Sequence, residues 1–289
     1  MDLLINYAVT VGYGVSELIL LSLGLAIIFG MRGVINLAHG EFVMVGAYLT
    51  LVAGRHHIPL PIGIIGSALL VGLWGLILER LVIRRLYGRI ADTMLATWGL
   101  SLIMVQVVVK IFGTTTEGMQ IPLGSVSRGR FQYPVYQFVI IAVAIGLVIA
   151  LGFIMAKTRF GILARASVQL PEMAATLGVN AAGLSARIFA LGCFTAGLAG
   201  AVIAPYVAIN PNMGQAFIGN SFLAVIVAGP GFLLGLAGSS GLLAGVENVL
   251  TIMFEPIHGT VGFLLLAILL VRLLPDGITG RAQRVRRGA

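Results

Sequence analysis

Residues 135–156, VYQFVIIAVAIGLVIALGFIMA, hold no charged side chain, and apolar runs of this kind recur along the whole chain. A bilayer's hydrocarbon core is about 30 Å thick and is crossed by a helix of about 20 residues, which satisfies every backbone group within itself. Further apolar segments lie near 8–30, 35–53, 58–78, 93–112, 188–209, 217–232, 236–254 and 260–274. Composition excludes a soluble alternative. Of 289 residues 59% are hydrophobic and 10% charged, with mean hydropathy +1.06, where soluble domains carry about 25% charged residues. The 39 glycines would signal disorder only if apolar residues were scarce. The expectation is an all-α, polytopic integral membrane protein of about eight or nine spans, forming one transmembrane domain over residues 1–289. The stretch 228–245, AGPGFLLGLAGSSGLLAG, is dense in glycine and contains Pro230. It reads either as parts of two spans or as a re-entrant hairpin, which membrane depth tolerates only where protein or a water-filled cavity covers the backbone.

The net charge of +8 would suggest nucleic acid in a soluble protein. Here it reports topology, and no nucleic-acid partner is expected. Arg80, Arg84, Arg85 and Arg89 lie in the 79–92 loop, and Lys157, Arg159, Arg165 and Arg187 in the 157–187 segment. Arg272, Arg281, Arg284, Arg286 and Arg287 lie at the end, most of them in the basic tail 275–289. These are thirteen of the 18 basic residues. Basic residues collect in cytoplasmic loops, and even numbers of spans separate the three groups, so all three fit on the cytoplasmic side. The N-terminus is then outside, the C-terminus inside, and Arg55, Arg128 and Arg130 are external. The N-terminal stretch carries Asp2 and lacks the basic region of a secretory signal, so its apolar segment is expected to remain. Cys193, the single cysteine, sits among apolar neighbours and reads as a buried, inert thiol.

Polar residues at membrane depth are costly and usually face the bundle interior. INLAHGEF (35–42) places Asn36, His39 and Glu41 beside the second apolar segment. On a helix Asn36 and His39 would share a face, whereas Glu41, two residues from His39, points elsewhere, which argues against a metal site. Asn36 as N-cap with Glu41 in the first helical turn stands beside a direct part in a translocation path. His56 and His57 read as a solvated loop pair. Glu247 and Asn248 lie inside a span, as an interhelical clamp or as pore-lining groups. Asn210, Asn212, Gln215 and Asn220 cluster as interfacial turn residues or as the polar outer mouth of a path. Runs such as TAGLAGAV (195–202) have small residues at the spacing that lets helices approach closely.

The 157–187 segment is expected to contain one short helix that Pro171 can start, with Glu172 in its first turn and Gly178 at its end. Its Ala174 and Ala175 would let it sit in a cleft of a soluble partner. The segment 114–134 reads as a polar loop. The phosphate-binding G-x-x-x-x-G-K-[ST] pattern, H-E-x-x-H, G-x-S-x-G and clustered cysteines are all missing from the sequence. No catalytic residue and no cofactor is expected, and any energy for uphill transport comes from a partner or an ion.

GLAIIFGMRGVINLAHGEFVMVGAY (24–48) resembles the N-terminal signature of the branched-chain amino acid ABC transporter permeases. EMAATLGVN (172–180) and FALGCFTAGLAGAV (189–202) are similar to that family's coupling segment and next span. The resemblance implies one half of a permease pair, two ATPase subunits, a periplasmic binding protein and an inner-membrane location among lipid. Glu172, Ala174, Ala175 and Gly178 match the E-A-A…G loop that engages the ATPases, with Met173 interrupting the register. INPNMGQAFIGNSF (209–222) looks closer to the urea and short-chain amide branch, and AGPGFLLG departs from the family's usual G-G-x-G turn. An importer subunit for a small amino acid or amide is the leading expectation. An ion-coupled carrier using His39, Glu41 or Glu247 is the alternative, and a membrane enzyme is disfavoured by the missing motifs.

Overall fold

The computed structural model describes residues 2–128, 131–229 and 232–280. The order is α1 (Asp2–Arg32), α2 (His39–Arg55), α3 (Leu60–Leu81), α4 (Ile90–Phe112), β1 (Ser125–Arg128), β2 (Phe131–Pro134), α5 (Val135–Lys157), α6 (Arg159–Gln169), α7 (Pro171–Thr176), α8 (Ala181–Ile203), α9 (Met213–Ala228), α10 (Phe232–Met253) and α11 (Pro256–Leu273). Seven helices among the described residues are long and apolar enough to cross a membrane. With α2 at 17 residues and α9 at 16, they account for each apolar segment of the sequence. The protein is a polytopic α-helical membrane protein.

Backbone contacts divide the chain into two compact units, one of 1–22, 120–146 and 219–289, the other of 23–119 and 147–218. In the second unit α2, α3 and α8 form the core. Glycine permits this packing at two decisive places. A Cβ on Gly46 of α2 would fall on the Gly197 carbonyl of α8, and one on Gly200 would fall on the Val43 carbonyl. The small residues of TAGLAGAV are therefore the contact surface between α2 and α8, as close helix approach requires. Cys193 is buried against Gly75 of α3. In the first unit α10 packs along α11, whose first turn begins at Pro256.

The structure decides four points of the sequence reading. The span expected at 188–209 runs instead from Ala181 to Ile203, because Asn180 caps it by accepting a hydrogen bond from the Gly183 amide at 2.9 Å. The 228–245 stretch follows the two-helix alternative. The backbone turns at Gly229, with φ of +77°, and α10 then continues as a regular helix of 22 residues. Pro230 lies outside the described residues, as do Arg130 and the tail arginines Arg281, Arg284, Arg286 and Arg287. The 114–134 loop contains an antiparallel hairpin, Ser125–Arg128 against Phe131–Pro134. The 157–187 segment holds two helices before α8 rather than one, because Thr158 caps α6 by accepting from the Gly161 amide.

Candidate functional site

The segment between α1 and α2 carries Asn36, which is fully buried but is not an N-cap. The helix starts three residues later, at His39, with Ala38 in the cap position. The Asn36 Oδ1 instead accepts from the Ala38 amide at 3.1 Å, a local turn that competes with helix geometry and delays its start. The helical spacing argument for Asn36 and His39 therefore does not apply. The neighbouring Leu37 amide donates to the Thr97 hydroxyl of α4 at 3.1 Å. One turn further along α4, the Ser101 hydroxyl donates to the Glu41 Oε1 at 2.8 Å. Glu41 lies in the first turn of α2 and is buried, and its Oε2 has no hydrogen-bond partner; neither has the Asn36 Nδ2. His39 packs where Gly24 of α1 and Thr195 of α8 meet. His39 and Glu41 thus face different helices, so Asn36, His39 and Glu41 are buried polar groups at the start of α2, with the Asn36 Nδ2 and the Glu41 Oε2 unmet. The sequence singled out these three but missed Thr97 and Ser101.

In the other unit Glu247 and Asn248 sit on α10. The Asn248 side chain donates to the Ala244 carbonyl at 2.7 Å and occupies the room left by Gly14. Glu247 has an acidic neighbour, Glu17 of α1, which is hydrogen-bonded to Tyr13. Sequence reasoning missed Glu17, although an acidic residue inside the first apolar run was the available signal.

Asn210 and Asn212 form the turn before α9, with the Asn210 Oδ1 accepting from the Asn212 amide at 3.0 Å. The Gln215 amide donates to the Asn212 carbonyl at 3.1 Å. Asn220 is two turns into α9 and is not part of that turn, so the expected group of four reduces to three. The adjoining Ile209 pairs with Glu117 through both backbone hydrogen bonds, at 2.8 and 2.9 Å. The Glu117 carboxylate meets Arg55 at 2.9 Å.

The 157–187 segment leaves α5 through a tight elbow, in which Arg165 donates to the Met155 carbonyl and Gly161 packs on the backbone of Ile154 and Met155. Pro171 opens α7, as expected. Gly178 has φ of +80°, and the Val179 amide reaches back to the Ala174 carbonyl at 3.0 Å. That is the left-handed glycine termination of a helix, in which the bond closes over the αL residue. Ala174 is 6% exposed and turned into the protein, so it cannot line a docking surface as the sequence suggested. The outward surface carries Met173, 61% exposed, and Leu177, 80% exposed.

Residues 7–273 match the family described as branched-chain amino acid transport system, permease component. The chain belongs to this family. It is 28% identical over 287 residues to the high-affinity branched-chain amino acid transport system permease protein LivH of Salmonella typhimurium, covering 91% of each chain. It is 28% identical to the corresponding permease protein BraD of Pseudomonas aeruginosa, over 91% of this chain and 92% of that one. The probable branched-chain amino acid transport permease protein LivH of Methanocaldococcus jannaschii is 30% identical, over 91% and 88%. No solved structure matches. As a family member the chain is a permease subunit of an ABC transporter and works with other transporter subunits. The resemblance carried by residues 24–48 agrees with the match. The family's transport role leaves the ion-coupled carrier reading without support.

Proposed function

We propose that the chain forms half of the translocation path of an ABC importer for a small amino acid of the branched-chain class. In this reading it pairs with a second, related permease subunit, and a periplasmic binding protein delivers the solute. Two separate ATPase subunits drive the cycle. The observation that carries the reading is the family match over 7–273, together with relatives named as branched-chain amino acid permeases. The similarity of 209–222 to the urea and short-chain amide branch favours a second solute class, small amides. The basic groups favour α7 and the 79–92 loop in the cytoplasm of an inner-membrane protein. The N-terminus is then outside and the tail inside. Asn36, His39, Glu41, Glu247 and Asn248 serve as the polar core or path, and Asn210, Asn212 and Gln215 as its outer mouth.

Coupling falls to α7. It is short, ends at Gly178, and presents Met173 and Leu177 outward, so an ATPase subunit can grip it by apolar contact. A β-branched residue tolerates the left-handed conformation at Gly178 poorly. Space is not the obstacle, because nothing lies within 4 Å of a Cβ there. Gly178→Val is expected to leave the chain inserted while abolishing solute-stimulated ATP hydrolysis and uptake. Ala175→Trp is expected to do the same. The assay is the full importer in proteoliposomes, with labelled leucine and labelled acetamide offered separately. Full stimulated hydrolysis and uptake in both variants would remove α7 as the coupling element. Uptake of acetamide alone would select the amide class.

A further inference from the structure

At one end of the 23–119 and 147–218 unit, three distant parts of the chain meet in a partly buried joint that no transport role yet explains. Glu79, near the end of α3, is 0% exposed. Its Oε1 accepts from the Tyr87 hydroxyl at 3.2 Å, and its Oε2 has no hydrogen-bond partner. The Ser185 side chain, in the first turns of α8, is a polar neighbour of the Tyr87 phenol. Burial first, and then the Glu79 carboxyl, push this phenol above its ordinary range, so at neutral pH it keeps its proton and can donate. Arg32, the last residue of α1, donates from Nη2 to the Ala181 carbonyl at 3.2 Å, and the Ser185 hydroxyl donates to the same oxygen at 2.7 Å. The Arg32 Nε is buried without an acceptor. Arg32, Arg80 and Arg84 are the cationic neighbours of Glu79, yet none of them is in ion-pair contact with it among the described residues.

The position of this joint gives it meaning. Ala181 opens α8 and lies three residues beyond Gly178, so α7 is tethered to α8 by a very short link. Whatever displaces α7 must pull on Ala181, and through Arg32 and Tyr87 the pull reaches the ends of α1 and α3. We propose that Arg32, Glu79 and Tyr87 are positioning residues of the transport cycle, forming the joint through which movement of α7 is transmitted to α1 and α3. The proposal rests on α7 as the coupling helix. The two unmet atoms, Nε of Arg32 and Oε2 of Glu79, belong to groups of opposite charge in one cluster. A second arrangement, in which guanidinium and carboxylate meet directly, would satisfy both. Buried polar groups strongly favour being paired, so on this proposal the joint gains a pairing when α7 moves and loses it on return.

The test uses the complete importer in proteoliposomes and reads ATP hydrolysed per solute taken up. Tyr87→Phe keeps the ring and removes the hydroxyl. Arg32→Gln removes the charge, and Arg32→Lys keeps a charged donor for the Ala181 carbonyl. Tyr87→Phe and Arg32→Gln are expected to assemble normally and to spend about three- to tenfold more ATP per solute, the factor that one net hydrogen bond corresponds to. Arg32→Lys should recover most of the coupling. An unchanged ratio in Tyr87→Phe and Arg32→Gln overturns the proposal, even if uptake and hydrolysis fall together. Failure of all three variants to assemble makes the cluster a folding element and overturns it as well. Gly178→Val separates the two readings. If it retains full uptake, the coupling-helix reading fails. If it is inactive while Tyr87→Phe and Arg32→Gln keep a normal ratio, the joint alone fails.

Discussion

The core unit of α2, α3 and α8 is fastened differently at its two ends. At one end the buried Glu79 carboxylate meets the half-buried Tyr87, and Arg32 reaches the exposed Ala181 carbonyl, with one guanidinium nitrogen and one carboxylate oxygen unmet. At the other, Arg55 and Glu117 form an ion pair whose side chains are 50% and 31% exposed, and Glu117 is bridged to Ile209 through paired backbone bonds. An exposed pair is worth about 0–1 kcal/mol because water and salt screen it, so there the backbone bridge holds the register. The sealed Glu79 carboxylate depends on protein partners, and rearranging it is costly unless a second partner waits nearby. One end is built to hold still, the other to change.

The sharpest way to break this comparison is to ask which side of the membrane each end faces. In a Cys193→Ser background, a cysteine replacing Arg165 should remain unmodified by a membrane-impermeant thiol reagent added from the periplasmic side. A cysteine replacing Arg55 should react. This outcome is all or none, and strong external labelling at Arg165→Cys would invert the assignment of ends.

A smaller effect is expected midway between the ends, among the polar groups at the start of α2. His39→Ala should reduce transport more than it reduces insertion, and chelation of other metals at saturating Mg–ATP should leave transport unchanged. Ser101→Ala removes one of the hydrogen bonds on Glu41 and should cost about 1–3 kcal/mol, because a buried carboxylate oxygen loses its donor. Thermal unfolding in detergent measures that cost. With Mg–ATP held saturating, chelator-sensitive transport that is lost in His39→Ala would show that His39 binds metal. The smallest effect belongs to the exposed end. Arg55→Ala should change stability by less than about 1 kcal/mol, and the change should fade in high salt. A large, salt-independent loss would mean that this ion pair carries more than the backbone bridge beside it.

The apolar segments were legible because length and hydropathy leave an uncovered chain few options in lipid. Helix α6 was not. Arg159–Gln169 mixes apolar and polar residues, and among loop residues such a pattern does not separate a helix from a coil. Asn36 looked like a cap because it precedes an apolar run, but its side chain closes a turn of its own and the helix waits until His39. Glu79 was counted with a basic loop and passed over, since nothing nearby in sequence shows that it is sealed against Tyr87. The Ser101 donor to Glu41 lies 60 residues away along the chain, beyond any local pattern.

The sequence by itself determined that the chain crosses the membrane many times, and which family signature it carries. It also determined that a helix ends at Gly178. Each of these is a local matter: hydropathy over one span, a contiguous motif, a turn closed by residues only five apart. Tertiary structure alone decided that Gly46 and Gly200 must be glycine, because the obstacles are carbonyls of other helices. It turned Ala174 inward and left Met173 and Leu177 as the outer surface of α7. It also joined Arg32, Glu79 and Ala181 in one place. Burial and pairing depend on which surfaces meet, and residues far apart in the chain acquire those partners only when the helices pack.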